Sequence, residues 1–177
     1  AVASERGLPL HMDGARFANA VAFLGVEPAD ITWRAGVDVL SFGATKNGAL
    51  TAEAIVVFGD APDPELLDRM ERMRKRGGHL LSKMRYVSAQ LLAMLDDDLW
   101  LDLAQVANAR ARALAAAIEA HPTARLAWKV EANEVFMHLA PDALAGLREQ
   151  GFEFHLWPGH DDLARLVCSF VTGQDAV

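Results

Sequence analysis

The chain has 177 residues, 52% hydrophobic and 23% charged, a globular composition and not a disordered one, with ample material for a core. A net charge of −7 makes nucleic acid an unexpected partner, and no apolar stretch reaches the ~20 residues that a membrane-spanning helix needs. The single cysteine, Cys168, allows no internal disulfide and no leader pattern opens the chain, so a cytoplasmic protein is expected.

Residues 1–7 read as the last turn of a helix already under way. Leu8 to Met12 form a short apolar run that ends in Asp13-Gly14, a strand followed by a turn signal. Ala15 to Leu24 read as a helix, because Phe17, Val21 and Leu24 recur at helical spacing. Pro28 marks a second helical start and Gly36 its end. Val37 to Phe42 is a strand candidate, Gly43 to Gly48 a loop of small residues, and Ala52 to Phe58 a third strand. Strand, helix and strand in succession predict a parallel sheet, with ligands outside the carboxyl ends of its strands. Asp13 and the Lys46 loop both fall at such ends.

From Pro64 to about His121 the pattern is helical. One apolar stripe runs through Leu80, Leu81, Met84, Val87, Leu91 and Leu95. Another runs through Leu99, Leu103, Val106, Leu114 and Ile118, beyond the acidic corner Asp96-Asp97-Asp98. Leu126 to Val130 and Val135 to Leu139 read as a hairpin, Asp142 to Gln150 as a helix, and Phe152 to Trp157 and Arg165 to Val171 as strands. These predict a compact α+β unit with an antiparallel sheet. The division expected is 1–97 and 98–177, with the closing residues 173–177 starting another helix.

Of the four lysines, Lys46 alone is enclosed by small residues, in Gly43-Ala44-Thr45-Lys46-Asn47-Gly48-Ala49. Small neighbours let a bulky ligand approach the backbone, and a lysine desolvated beside apolar strands offers a neutral amine. An exposed loop lysine is the plainer alternative. Asp13, in His11-Met12-Asp13-Gly14-Ala15-Arg16, ends a strand, and a buried carboxylate there needs a cationic partner. The alternative for Asp13 is a helix cap. Arg16 is placed to pair with Asp13 or to reach a carboxylate or phenolic oxygen. His155, His160, Asp161 and Asp162 lack any recognised metal-ligand spacing, so no metal is expected. The basic run from Arg69 to Arg76 reads as a solvated face or a subunit contact.

The stretch His-Met-Asp-Gly-Ala-Arg-Phe, followed by Asp-Val-Leu-Ser-Phe-Gly-Ala-Thr-Lys-Asn-Gly-Ala, resembles the low-specificity L-threonine aldolases. These belong to the aspartate-aminotransferase-like superfamily. Arg74-Lys75-Arg76-Gly77-Gly78-His79-Leu80-Leu81-Ser82-Lys83-Met84-Arg85 is also typical of that family, and the similarity runs in order over essentially the whole chain.

The resemblance implies pyridoxal 5'-phosphate as cofactor. It makes Lys46 the Schiff-base lysine and Asp13 the partner of the pyridine nitrogen. Arg16 would lie beside the cofactor or the substrate carboxylate, and Arg165 would bind that carboxylate, an ordinary strand-end charge being the alternative. The family's ring-stacking histidine and phosphate-cradling glycine segment would lie upstream of position 1.

The fold implied is α/β, part of the large parallel-sheet domain of a fold-type-I pyridoxal-phosphate enzyme plus a small C-terminal α+β domain truncated at its end. The reaction implied is aldol cleavage of L-threonine, L-allo-threonine or related β-hydroxy-α-amino acids to glycine and an aldehyde. A homotetramer, a dimer of dimers, is implied with it. Another pyridoxal-phosphate lyase or transaminase activity on the same scaffold, or a non-catalytic α/β fragment, are the alternatives.

Overall fold

The computed structural model describes residues 2–59 and 63–176. Ala1 and Val177, the outer ends of the two terminal helical turns expected from sequence, lie outside the described residues. Two compact units are formed, Ala1–Trp100 and Leu101–Val177.

In the first unit a short helix α1 (Val2–Glu5) leads to strand β1 (His11–Gly14). The strand begins later than the apolar run suggests, because Pro9 has no N–H to give a ladder. Leu10 meets the neighbouring strand first: its amide donates to Asp38 Oδ2 at 2.7 Å and its carbonyl accepts from Val39 N at 3.2 Å. Helix α2 (Phe17–Leu24) follows and ends at Gly25, whose φ of 64° is the left-handed conformation that closes a helix. Two 3-10 turns, Pro28–Ile31 and Trp33–Ala35, lead into β2 (Val39–Gly43).

Strands β1 and β2 pair in parallel, with Asp13 opposite Ser41 and Gly14 opposite Phe42. The next strand, β3 (Glu53–Val57), pairs with β2 antiparallel, so the sheet is mixed in the order β1-β2-β3. The expectation of an all-parallel sheet is corrected here for a simple reason. A parallel return needs a crossover of about a dozen residues or more, and residues 44–52 are too few. They fold back as a closed loop, with Ala44 N donating to Ala52 O at 3.0 Å.

Alternation along β1 and β2 sends Leu40 and Phe42 to a buried face and His11, Asp13 and Ser41 to the other. The buried face is closed by an aromatic triad. Phe17 of α2 stacks on Trp100 at 6.0 Å between centroids, and Phe42 meets both rings edge-on at 6.1 and 5.7 Å. Rings in these geometries contribute about 0.5–1.5 kcal/mol per pair beyond the area they bury.

The helical tract is divided into three helices, α3 (Pro64–Arg76), α4 (Met84–Leu95) and α5 (Leu99–Ala120). The acidic corner separates the last two, where Asp97 and Asp98 take positive φ values of 46° and 58°. Aspartate tolerates that region better than most residues. The apolar stripes differ from the expected ones. Leu80 and Leu81 are exposed outside any helix, and Met94 is the buried residue of α4. On α5 the buried stripe is Trp100, Ala104, Ala107, Asn108, Ala111, Ala115 and Ile118, mostly alanine where leucines were expected.

The second unit holds a four-stranded antiparallel sheet in the order β4-β5-β7-β6. Its strands are β4 (Arg125–Leu126), β5 (Glu134–His138), β6 (His155–Leu156) and β7 (Leu163–Val167), with helix α6 (Pro141–Glu149) between β5 and β6. Val135, Met137 and Ala164 face a core made with Ala111, Ile118, Leu144 and Cys168. Among the described residues, no helix is long and apolar enough to cross a membrane.

Candidate functional site

The carboxyl edge of the parallel pair brings two of the sequence candidates to one end of one sheet. Asp13 stands on β1, exposed on the polar face of the sheet. Its Oδ1 accepts from Ala15 N at 3.0 Å, and among the described residues nothing else bonds the carboxylate. The helix-cap reading of Asp13 is therefore corrected: the cap position of α2 belongs to Arg16, and no side chain caps that helix. A tight Asx-type turn has taken the Asp13 oxygen instead. The strand is also not buried on both faces, so the carboxylate is open to a ligand rather than in need of an internal partner.

His11 lies two residues before Asp13 and so shares its face. Its Nε2 is 2.9 Å from Ser41 Oγ, which fixes the ring beside the Asp13 position. Period-2 spacing from Asp13 is the sequence signal that singles out His11.

Lys46 sits on a 3-10 turn, Thr45–Asn47, immediately beyond β2. Ala44 O accepts from Asn47 N at 3.0 Å and from Ala49 N at 3.2 Å. Thr45 Oγ1 accepts from Ala52 N at 3.0 Å, and the Gln90 side chain accepts from Leu50 N at 2.8 Å. The backbone on both sides of Lys46 is thus held while the lysine itself is exposed, with no bonding partner among the described residues. Exposure corrects the expectation of a desolvated amine, since the small residues that flank it cover little of it.

Two glycines let the strand ends close up. A Cβ at Gly43 would stand 2.9 Å from Ala15 Cα, and one at Gly14 would stand 2.7 Å from the Ser41 carbonyl oxygen. The turn after β1 and the end of β2 approach more closely than side chains allow.

Arg16 is half-buried at the N-terminal cap position of α2, where its carbonyl accepts from Ala20 N at 3.1 Å. Arg165 belongs to the second unit. It lies in the middle of β7 rather than opening it, because the strand starts at Leu163 and ends at Val167. Ser169 N donates to Thr172 Oγ1 at 2.9 Å and turns the chain away before Val171. Arg165 is ion-paired with Glu134, a partner not anticipated from the sequence.

His138 Nδ1 lies 2.7 Å from Asp162 Oδ2, and this hydrogen bond holds the Asp162 carboxyl below its ordinary value of 3.8, against a smaller opposing effect of burial. Burial pushes the Cys168 thiol up. Among the described residues, no cluster of three or more His, Cys, Asp or Glu side chains is placed to hold a metal ion.

The chain belongs to the beta-eliminating lyase family, whose model matches residues 1–141, the stretch that carries Asp13, Arg16 and Lys46. It is a family of pyridoxal-phosphate enzymes. Within that class the chain is 45% identical over all 177 residues to the low specificity L-threonine aldolase of Pseudomonas aeruginosa, and 44% identical to that of a second Pseudomonas strain. It spans about half the length of these curated relatives, 50% in each case. The solved threonine aldolase of Leishmania major superposes with a TM-score of 0.85 at 29% identity, over 98% of this chain and 50% of that one.

The residues present fit a pyridoxal phosphate. Asp13 offers an acceptor with one oxygen uncommitted, Lys46 offers an unpartnered primary amine, and both leave one sheet edge lined by Gly14, Ala15, Gly43 and Ala44.

Proposed function

We propose that the protein carrying this chain is a pyridoxal-phosphate-dependent carbon–carbon lyase that cleaves L-threonine, L-allo-threonine or a related β-hydroxy-α-amino acid to glycine and an aldehyde. The observation that carries the reading is the parallel register of β1 and β2, which sends Asp13 and the Lys46 turn from the same edge. Whole-chain similarity to low specificity L-threonine aldolases supports the choice of reaction.

Lys46 would hold the cofactor through Nζ, on a turn whose backbone is tied down on both sides. Asp13, which as a carboxylate can accept but not donate, would keep a proton on the ring nitrogen. When bound, the cofactor supplies an electron sink for the pair left on Cα as the Cα–Cβ bond breaks. Arg16 would lie beside the cofactor or the substrate carboxylate. Arg165 would bind the carboxylate, orienting Cα and sparing the chemical step part of its entropic cost.

Residues 1–97 then form the C-terminal part of the cofactor domain with its linking helix, and 98–177 the small α+β domain. The cytoplasmic location expected from the sequence and the homotetramer implied by the resemblance belong to the same proposal.

The family description favours β-elimination as a second reading, in which Asp13 and Lys46 would serve equally. Product analysis of the full-length protein with L-threonine separates the two. Aldol cleavage gives glycine and acetaldehyde in equal amounts; elimination gives ammonia and 2-oxobutanoate. Neither pair of products from the cofactor-loaded protein would defeat both.

A further inference from the structure

We infer that Glu134 is a positioning residue for Arg165, fixing which edge of its guanidinium a substrate carboxylate can take. This rests on the proposal that Arg165 binds that carboxylate.

The antiparallel register of β5 and β7 sets Phe136 opposite Arg165 and Glu134 opposite Val167, so Glu134 is the diagonal neighbour of Arg165 on the same face. Arg165 donates from Nε at 3.1 Å, and also from Nη2, to one oxygen, Glu134 Oε1. The two side chains are only 28% and 26% exposed, so the pair is better shielded than an ordinary surface ion pair. On β6, His155 is opposite Arg165 from the other side. Phe136 is itself held edge-on between Trp128 at 4.9 Å and Trp157 at 5.2 Å. The guanidinium therefore lies in a bounded row with one side edge occupied.

A guanidinium has five N–H donors in a rigid fork. With the Nε–Nη2 edge on Glu134, the end formed by Nη1 and the second hydrogen of Nη2 is left. Among the described residues Nη1 has no partner. That end carries two parallel donors, the geometry a carboxylate accepts in bidentate form. Glu134 weakens the net attraction of Arg165 for an incoming anion while fixing the direction of its donors, and the two effects have opposite signs in binding. The place of Arg165 between Phe136 and His155 in the strand register, with its guanidinium edge held by Glu134, points to direction as the larger effect.

The test uses the full-length protein loaded with pyridoxal phosphate, in the Arg165→Ala, Glu134→Ala, Glu134→Gln, Glu134→Asp and double Arg165→Ala/Glu134→Ala forms. Glycine affinity is read by calorimetry, KM and kcat with L-threonine, and the thermal midpoint alongside. Glu134→Ala is expected to raise the glycine Kd and the threonine KM about tenfold, the usual scale for losing an orienting partner, with kcat falling less. Glu134→Gln, which still accepts at Oε1, should recover most of this. In the Arg165→Ala background the Glu134 change should have no further effect on Kd. Arg165→Ala with unaltered glycine affinity would defeat the underlying reading of Arg165. Weakened binding in Arg165→Ala beside unchanged or tighter binding in Glu134→Ala would overturn the positioning role alone, as would a lowered thermal midpoint with no change in Kd. If Glu134→Ala does not fold, Glu134→Asp is read by the same criteria.

Discussion

Asn47, the residue after Lys46, buries its side chain and donates from Nδ2 to the backbone carbonyl of Trp100 at 2.7 Å, across 53 positions of sequence. The turn that presents the lysine is thereby pinned to the start of α5, whose Trp100 ring also closes the core beneath β2. Asn47→Ala should remove this bond, leaving that carbonyl only its place in the α5 ladder, and cost about 0.5–1.5 kcal/mol. Urea denaturation of the variant measures it, and a loss under about 0.5 kcal/mol, the scale of an ordinary surface change, would contradict the anchoring role.

The close approach of the strand ends gives a second expectation. Gly43→Ala would push a methyl against Ala15 Cα at 2.9 Å and Glu53 Oε2 at 2.8 Å, of which only the glutamate can swing away. Overpacking of this kind costs about 1–3 kcal/mol. Because the displaced backbone lies between Asp13 and Lys46 in the site, cofactor affinity should fall along with stability. A Gly43→Ala protein that bound pyridoxal phosphate as the unsubstituted protein does would argue against a tightly built edge.

The His138–Asp162 pair makes stability depend on acid. The folded state lowers the Asp162 pKa below 3.8, so its contribution is present above that value and is lost as pH falls through the lower, folded-state value. Asp162→Asn should therefore be less stable than the unsubstituted protein near pH 6 and equal to it in strong acid. Thermal midpoints across that range decide the matter, and a gap that stays constant in acid would contradict it.

Cys168 is 3% exposed and its thiol is pushed up by burial, while its backbone is bracketed by Asn133 through bonds of 2.7 and 2.9 Å. The thiolate is the reactive form. A maleimide or disulfide reagent at neutral pH should label Cys168 slowly in the native protein and at once in denaturant. Equal rates would mean that the core around β7 opens freely.

Much of this was legible in the sequence because its signals were local. The spacing of Phe17, Val21 and Leu24, the helical pattern from Pro64 and the strand from Val135 to Leu139 mark elements that formed close to where the pattern places them. The lysine turn, with its unbroken run of small residues, was equally plain. What the sequence did not reveal depends on partners distant along the chain. The direction of β3 follows from how the 44–52 loop closes, and the pairing of Glu134 with Arg165 follows from strand register, neither of which hydrophobic spacing encodes. The stripe of α5 is met only in part, by the buried Ile118 and by Leu114 packed against the same core, for a different reason: leucines attract attention by hydrophobicity, whereas close packing selected alanines at most of the buried positions. The exposed-loop alternative for Lys46 is the one the structure agrees with, but the choice between it and a desolvated amine, like the exposure of Asp13, depends on which sheet face is covered and not on neighbours in sequence.

Everything proposed for this site depends on Lys46 being the residue that bonds the cofactor. The direct measurement is to incubate the full-length protein with pyridoxal phosphate, reduce with borohydride, digest, and locate the added mass by peptide sequencing, with Lys46→Ala in parallel. One stoichiometric phosphopyridoxyl group is expected on Lys46, and none anywhere in Lys46→Ala. A label on Lys75, Lys83 or Lys129 instead, or equal labelling of the Lys46→Ala protein, would contradict it.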